Sequence, residues 1–160
     1  LTPEDVAPIS PDVDPELKKI VVNTTYQTLS AYEGEQEVFF CRVSTGYDSE
    51  NYRTPAGSYN PHRKLLSIPM GASSTEGRSG YDTPAVGWPF FMNGEGIAIH
   101  AAFWHNDFGT RRSHGCVNVC ASDAKWIWRW TTPYVSLDQE EISVDWPNHG
   151  TKVDVVQRTF

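Results

Sequence analysis

Residues 97–120, IAIHAAFWHNDFGTRRSHGCVNVC, hold three of the chain's five histidines and two of its three cysteines. Within them, Ser113-His114-Gly115-Cys116-Val117-Asn118 places a thiol beside a glycine, which lets backbone amides approach a ligand closely. One imidazole stands two residues before the thiol, and another, His100, stands sixteen before it. These are the parts of a nucleophilic site. A free thiol has a pKa near ~8.5 and is mostly protonated at neutral pH. An imidazole that accepts its proton raises its reactivity, and backbone N–H groups can receive the charge that develops on an attacked carbonyl. The residues by themselves leave other readings open. Cys116 can be a buried, unreactive thiol, and His114 can simply hydrogen-bond a neighbouring strand. His100, His105, His114, Cys116 and Cys120 also offer nitrogen and sulfur ligands for zinc, although their spacing fits neither C-x-x-C nor H-E-x-x-H.

Short elements must position these residues. Residues 19–23, 27–32 and 38–45 read as three strands joined by polar turns, a β-meander. Thr54-Pro55-Ala56-Gly57 reads as a turn before extended chain, and Ile97-Ala98-Ile99 as a short buried strand ending at His100. A single helix is expected just after the thiol, with Ser122 as N-cap, Asp123 in the first turn and Trp126, Ile127 and Trp130 on one face. Pro133 ends it. Residues 134–137 and 152–156 read as late strands. The fold class is therefore β-rich α+β, a sandwich or curled sheet carrying one main helix.

Composition narrows the function. At 160 residues the chain is the size of one ordinary domain, and its net charge of −7 argues against a nucleic-acid partner. No apolar run approaches the ~18 residues of a membrane span. Aromatic residues make up 12%, enough to furnish an aromatic core, an aromatic-lined groove, or both. Three cysteines are too few and too odd in number for a disulfide scaffold. Residues 1–17, with four prolines and five acidic residues, read as a linker or tail, which leaves 18–160 as the folded domain.

The stretch resembles the catalytic motif of the L,D-transpeptidases of the YkuD family: a histidine, a spacer, Ser/Thr-His-Gly-Cys, an aliphatic residue, then Arg or Asn. Here these are His100, twelve intervening residues and Ser113 to Asn118. The likeness extends to residues 19–46, which end in Val-Ser-Thr-Gly, to the Thr-Pro-x-Gly turn at Thr54, and to Gly150-Thr151-Lys152-Val153. It implies a sandwich-like fold with the main helix following the motif. It also implies that Cys116 is the nucleophile and His100 the general base, the second ring nitrogen of His100 being held by the Ala101 carbonyl. His114, Gly115 and Cys116 would supply oxyanion amides, while Ser113 and Asn118 shape the turn.

The activity so implied is bacterial and extracytoplasmic. A peptidoglycan stem tetrapeptide is opened with release of D-Ala, and the acyl group passes to the side-chain amine of another stem as a 3→3 cross-link. No metal or other cofactor is called for, and a monomer is expected. Water as acceptor would make the protein an L,D-carboxypeptidase. The histidine and cysteine cluster also admits a zinc-dependent hydrolase, and the aromatic residues a non-catalytic wall-binding module. Residues 70–93, rich in glycine and carrying Tyr81, Trp88, Phe90 and Phe91, are expected to form a lid over Cys116, with Trp104 as the opposite wall.

Overall fold

The structure is a computed structural model that describes residues 2–49, 51–68, 86–93, 96–102, 108–113, 115–139, 141–144 and 149–157. Its first three strands form the expected meander: β1 (Lys18–Asn23), β2 (Thr28–Glu33) and β3 (Gln36–Arg42). Then come β4 (Gly57–Tyr59), β5 (Arg63–Leu65), β6 (Ser67–Ile68), β7 (Val86–Gly87) and β8 (Phe90–Phe91). β9 (Ala98–Ala101), β10 (Val117–Val119), helix α1 (Ala121–Trp130), β11 (Glu141–Ser143) and β12 (Lys152–Val156) complete the order.

Two five-stranded sheets result, ordered β3-β2-β1-β12-β4 and β10-β9-β8-β5-β11, with β6 and β7 as a separate pair. Among the described strands, β1 pairs with β12 and β9 with β10 in parallel. In the first sheet, alternation turns Ile20, Val22, Leu29, Ala31, Val153 and Val155 inward. These join Ile99, Ala101, Val117 and Val119 of the second sheet and Ala124, Ile127 and Trp130 of α1 in one buried cluster. Residues 43–46 continue past β3 and stitch the sheets together. Ser44 exchanges both backbone hydrogen bonds with Asn118, at 2.9 and 2.8 Å. The seam between the sheets therefore runs through the motif.

Helix α1 starts at Ala121, because the Ala124 amide bonds the Cys120 carbonyl at 2.9 Å. Cys120, not the expected Ser122, is the N-cap, and its thiol lies 3.0 Å from Asp123 Oδ2. The helix buries more than one face. Trp126 stacks on Phe39 at 4.2 Å, while Trp128 meets Trp88 edge-on at 5.1 Å. Two buried lysines close its C-terminal end. Lys64 Nζ donates to the Trp128 and Thr131 carbonyls, both at 2.7 Å, and Lys18 Nζ donates to the Trp130 carbonyl at 2.8 Å. Helix-end carbonyls lack intrahelical partners and carry partial negative charge, so ammonium groups satisfy both needs. Complete burial holds the Lys64 amine well below its usual range.

Three sequence expectations are corrected here. Residues 134–137 form no strand. Val135 instead packs with Val6 and Trp128, and the Tyr134 hydroxyl accepts from Lys18. The Pro-rich opening, expected as a linker or tail, lies against α1. Val6 is buried, Arg129 Nε donates to the Ala7 carbonyl at 2.7 Å, and the Ile9 amide bonds the Arg129 carbonyl. Its scattered apolar residues have no period, so sequence pattern could not register that docking. Finally, Trp88, Phe90 and Phe91 offer no lid surface. Both phenylalanines belong to β8 and are buried, and Trp88 packs on the core. Residues 69–85, including Tyr81, lie outside the described residues.

Candidate active site

β9 and β10 run parallel with Asn118 opposite His100 and Val117 opposite Ile99. Paired residues of neighbouring strands share a face. Ile99, Ala101, Val117 and Val119 thus turn to the main core, while Ala98, His100 and Asn118 occupy the other face. Cys116, one step before β10, joins that second face and packs on the Phe91–Ala98 cluster, as Leu65 also does. Strand spacing and rise set Cys116 and His100 diagonally across adjacent strands, roughly 8 Å apart at Cα. A side chain from each can span that gap. Cys116 is half-buried and His100 is buried.

The tautomer of His100 follows from one contact. Its Nδ1 lies 2.9 Å from the Ala101 carbonyl oxygen, which can only accept. Nδ1 must therefore carry the proton, and Nε2 presents a lone pair. Burial pulls the imidazole down to about 4, against the opposing pull of the Ala101 hydrogen bond. At neutral pH the ring is an uncharged, oriented base. Cys116 Sγ donates to the Gly96 carbonyl at 3.5 Å.

The turn before Cys116 is built on Ser113, which is buried and fixed by its backbone to Thr45 and Tyr47. Ser113 Oγ donates to the Cys116 carbonyl and accepts from the Gly115 amide at 3.2 Å. Gly115 takes φ +133°, a conformation that side chains rarely adopt. Its amide, expected to face an oxyanion, is engaged by Ser113 in this conformation. His114 and Trp104 lie outside the described residues. Among the described residues, no three His, Cys, Asp or Glu side chains gather as a metal site; His105 is also outside them.

Sequence reasoning assigned Thr54 no role, though it lay in a recognisable turn. Thr54 is buried; its hydroxyl donates to the Gly115 carbonyl at 2.7 Å and accepts from the Gly46 amide at 2.8 Å. Gly46 is obligatory, because a Cβ there would fall 1.6 Å from the Tyr52 carbonyl oxygen. Thr54 thus braces the motif from behind. Phe91, expected near Cys116 as part of a lid, instead meets it from β8; Leu65, which packs on the same cluster, was missed, since a strand of three residues leaves no readable period.

The sequence model of YkuD, described as the L,D-transpeptidase catalytic domain, matches residues 17–155. The chain belongs to that family. The L,D-transpeptidase domain also shares its fold with solved structures. An L,D-transpeptidase from Mycobacterium smegmatis is 17% identical, with TM-score 0.63, covering 88% of this chain and 58% of that one. One from Mycobacterium tuberculosis H37Rv is 22% identical, with TM-score 0.63, covering 88% of this chain and 57% of that one. L,D-transpeptidase 3 from M. tuberculosis, in complex with a faropenem-derived adduct, is 20% identical, with TM-score 0.61, covering 89% and 60%. This chain therefore spans less than two thirds of the length of these structures. Among curated proteins, none matches significantly.

Two expected results follow for the L,D-transpeptidase domain. Thr54→Val leaves the Gly115 carbonyl and the Gly46 amide without their hydroxyl partner, at a cost of about 2–3 kcal/mol, read as a lower denaturation midpoint. An unchanged midpoint would mean that the brace is dispensable. With iodoacetamide, Cys116 is labelled first in the native protein. Cys41 is buried on β3, and burial pushes its thiol up, so it is labelled only on unfolding. Peptide mapping distinguishes the two, and early labelling of Cys41 would contradict the placement.

Proposed function

We propose that the domain is a peptidoglycan L,D-transpeptidase with Cys116 as nucleophile and His100 as general base. Cys116 Sγ attacks the carbonyl carbon of the third residue of a stem tetrapeptide, and its proton passes to His100 Nε2. The C–N bond to the terminal D-Ala then breaks, and His100 returns the proton to the leaving amine. The remaining thioester is opened by the side-chain amine of a second stem, which gives up a proton through His100 to the released thiol. Because burial keeps His100 neutral at rest, the proton moves as the thiol attacks rather than beforehand. The oxyanion is received by the backbone of the turn 113–116. The Gly115 amide can exchange Ser113 Oγ for it without losing a hydrogen bond.

The observation that carries this reading is the Nδ1–Ala101 contact, which aims the base, on the strand face that Cys116 also occupies. Ser113 and Asn118 hold the turn and the seam. The domain acts in the extracytoplasmic wall of a bacterium, as a monomer, in wall biogenesis and cell shape. No helix among the described residues is long and apolar enough to cross a membrane. Incubation with a disaccharide-tetrapeptide tests the proposal by intact mass. A thioester adduct, released D-Ala and a cross-linked dimer are expected. D-Ala release with no dimer would instead assign the carboxypeptidase reaction, and no adduct at Cys116 would overturn both.

A further inference from the structure

Behind the turn that carries Cys116 lies a cavity of about 410 Å³, whose lining includes Arg53, Thr54, Ala56, Arg111 and Gln157. Two arginines stand in it. Arg53 is tied to Asp48, with Nε 3.0 Å and Nη2 2.8 Å from the carboxylate. Arg111 is half-buried and forms no ion pair or hydrogen bond among the described residues. In a chain of net charge −7, a cation left without a carboxylate in a concave site is unusual. With Asp48 matched to Arg53, the described lining keeps one uncompensated positive charge. A guanidinium presents a planar fork of donors that fits a carboxylate through two parallel hydrogen bonds. The volume lies in the range of small-ligand sites.

The position matters as much as the charge. Arg111 precedes Ser113 by two residues, and the Arg112 and Ser113 amides both bond the Thr45 carbonyl, at 3.0 and 3.1 Å. Thr54, also part of the cavity wall, donates to the Gly115 carbonyl. A ligand held here is one hydrogen bond away from the turn that presents the thiol.

We infer that the cavity beside Thr54 is a second binding site, taking a peptide carboxylate on Arg111 at a distance from the bond opened at Cys116. This rests on the acyl-transfer reading for the identity of the peptide. Two sources supply that chemistry: the remote carboxylate of the donor stem and a carboxylate of the acceptor stem.

The test starts with binding, so that it does not depend on turnover. An isotope-labelled Cys116→Ala domain is titrated with the stem tripeptide L-Ala-γ-D-Glu-L-Lys and followed by amide shifts. Shifts at Thr24, Ala56 and Gln157 are expected. Arg111→Gln weakens binding roughly tenfold, as expected for the loss of a charge-assisted hydrogen bond, and amidating the peptide carboxylates does the same. Absent shifts, or affinity indifferent to Arg111→Gln, overturn the site; acetate binding as tightly as the tripeptide overturns its assignment to a peptide. In the otherwise wild-type enzyme, a raised KM for the acceptor at unchanged thioester formation assigns the acceptor stem. A raised KM in thioester formation itself assigns the donor, and no change in either overturns the functional role. Failure of thioester formation in the wild type would remove the activity reading while leaving the binding result intact.

Discussion

Cys116→Ala eliminates the covalent adduct while the domain remains folded. The thiol contributes one half-buried sulfur to a small cluster with Phe91, Ala98 and Leu65, so its loss costs about 1 kcal/mol of packing. Chemistry loses everything that passes through the thioester. Removing a nucleophile that acts together with its base lowers turnover by about 10⁴-fold or more. The disaccharide-tetrapeptide is the acylating probe. The wild type is expected to gain mass with it, and the variant to gain none while keeping its thermal transition. A variant that still forms a stable adduct would place the nucleophile elsewhere, and Cys120 would then be the first residue to map.

The second large effect is that of His100, and it separates catalysis from folding. His100→Gln removes the base and lowers the rate of thioester formation by roughly 10²–10⁴-fold. It also removes a titration. The folded imidazole titrates near 4 against an ordinary value of 6.5, so the unfolded chain takes up a proton that the folded chain refuses. The stability linked to His100 is therefore whole above pH 6.5 and is lost as pH falls towards 4, with a span of about 3 kcal/mol. In His100→Gln that part of the acid slope disappears, which denaturant titrations at pH 7 and pH 4 measure. For the wild type, the acid limb of kcat/KM lies near pH 4 to 5 rather than at 6.5. An acid limb at 6.5 would mean that the base is more solvated than the structure has it.

Local signals carried the sequence reading a long way. The meander, β9, β12 and the helix end at Trp130 follow from alternation, turn residues and the helical spacing of apolar positions, all properties of neighbouring residues. The motif from Ser113 to Asn118 was legible for the same reason. What remained hidden depends on distant partners. Residues 134–137 have strand-like composition but no strand to pair with, so Val135 packs on Trp128 instead. β8 is two residues long, and only its place between β5 and β9 makes it a strand rather than a loop. Lys64 reads as a surface residue until the carbonyl ends of α1 are brought over it. Thr54 shows its role only when the Gly46 and Gly115 backbones meet at its hydroxyl.

The parallel pairing of β1 with β12 has a consequence for how the chain is made. β12 lies between β1 and β4, so an interior strand of the first sheet comes last in the chain order of the domain's strands. Until residues 152–156 emerge, β1 keeps an open edge and β4 has no sheet to join. Closing β1 onto β12 spans ~130 residues, a loop whose entropy must be lost before the pairing gives anything back. The domain thus cannot complete itself from its amino end as it is synthesised. The first sheet therefore closes only when that strand is available, and its slowest step is this long-range pairing rather than the local meander.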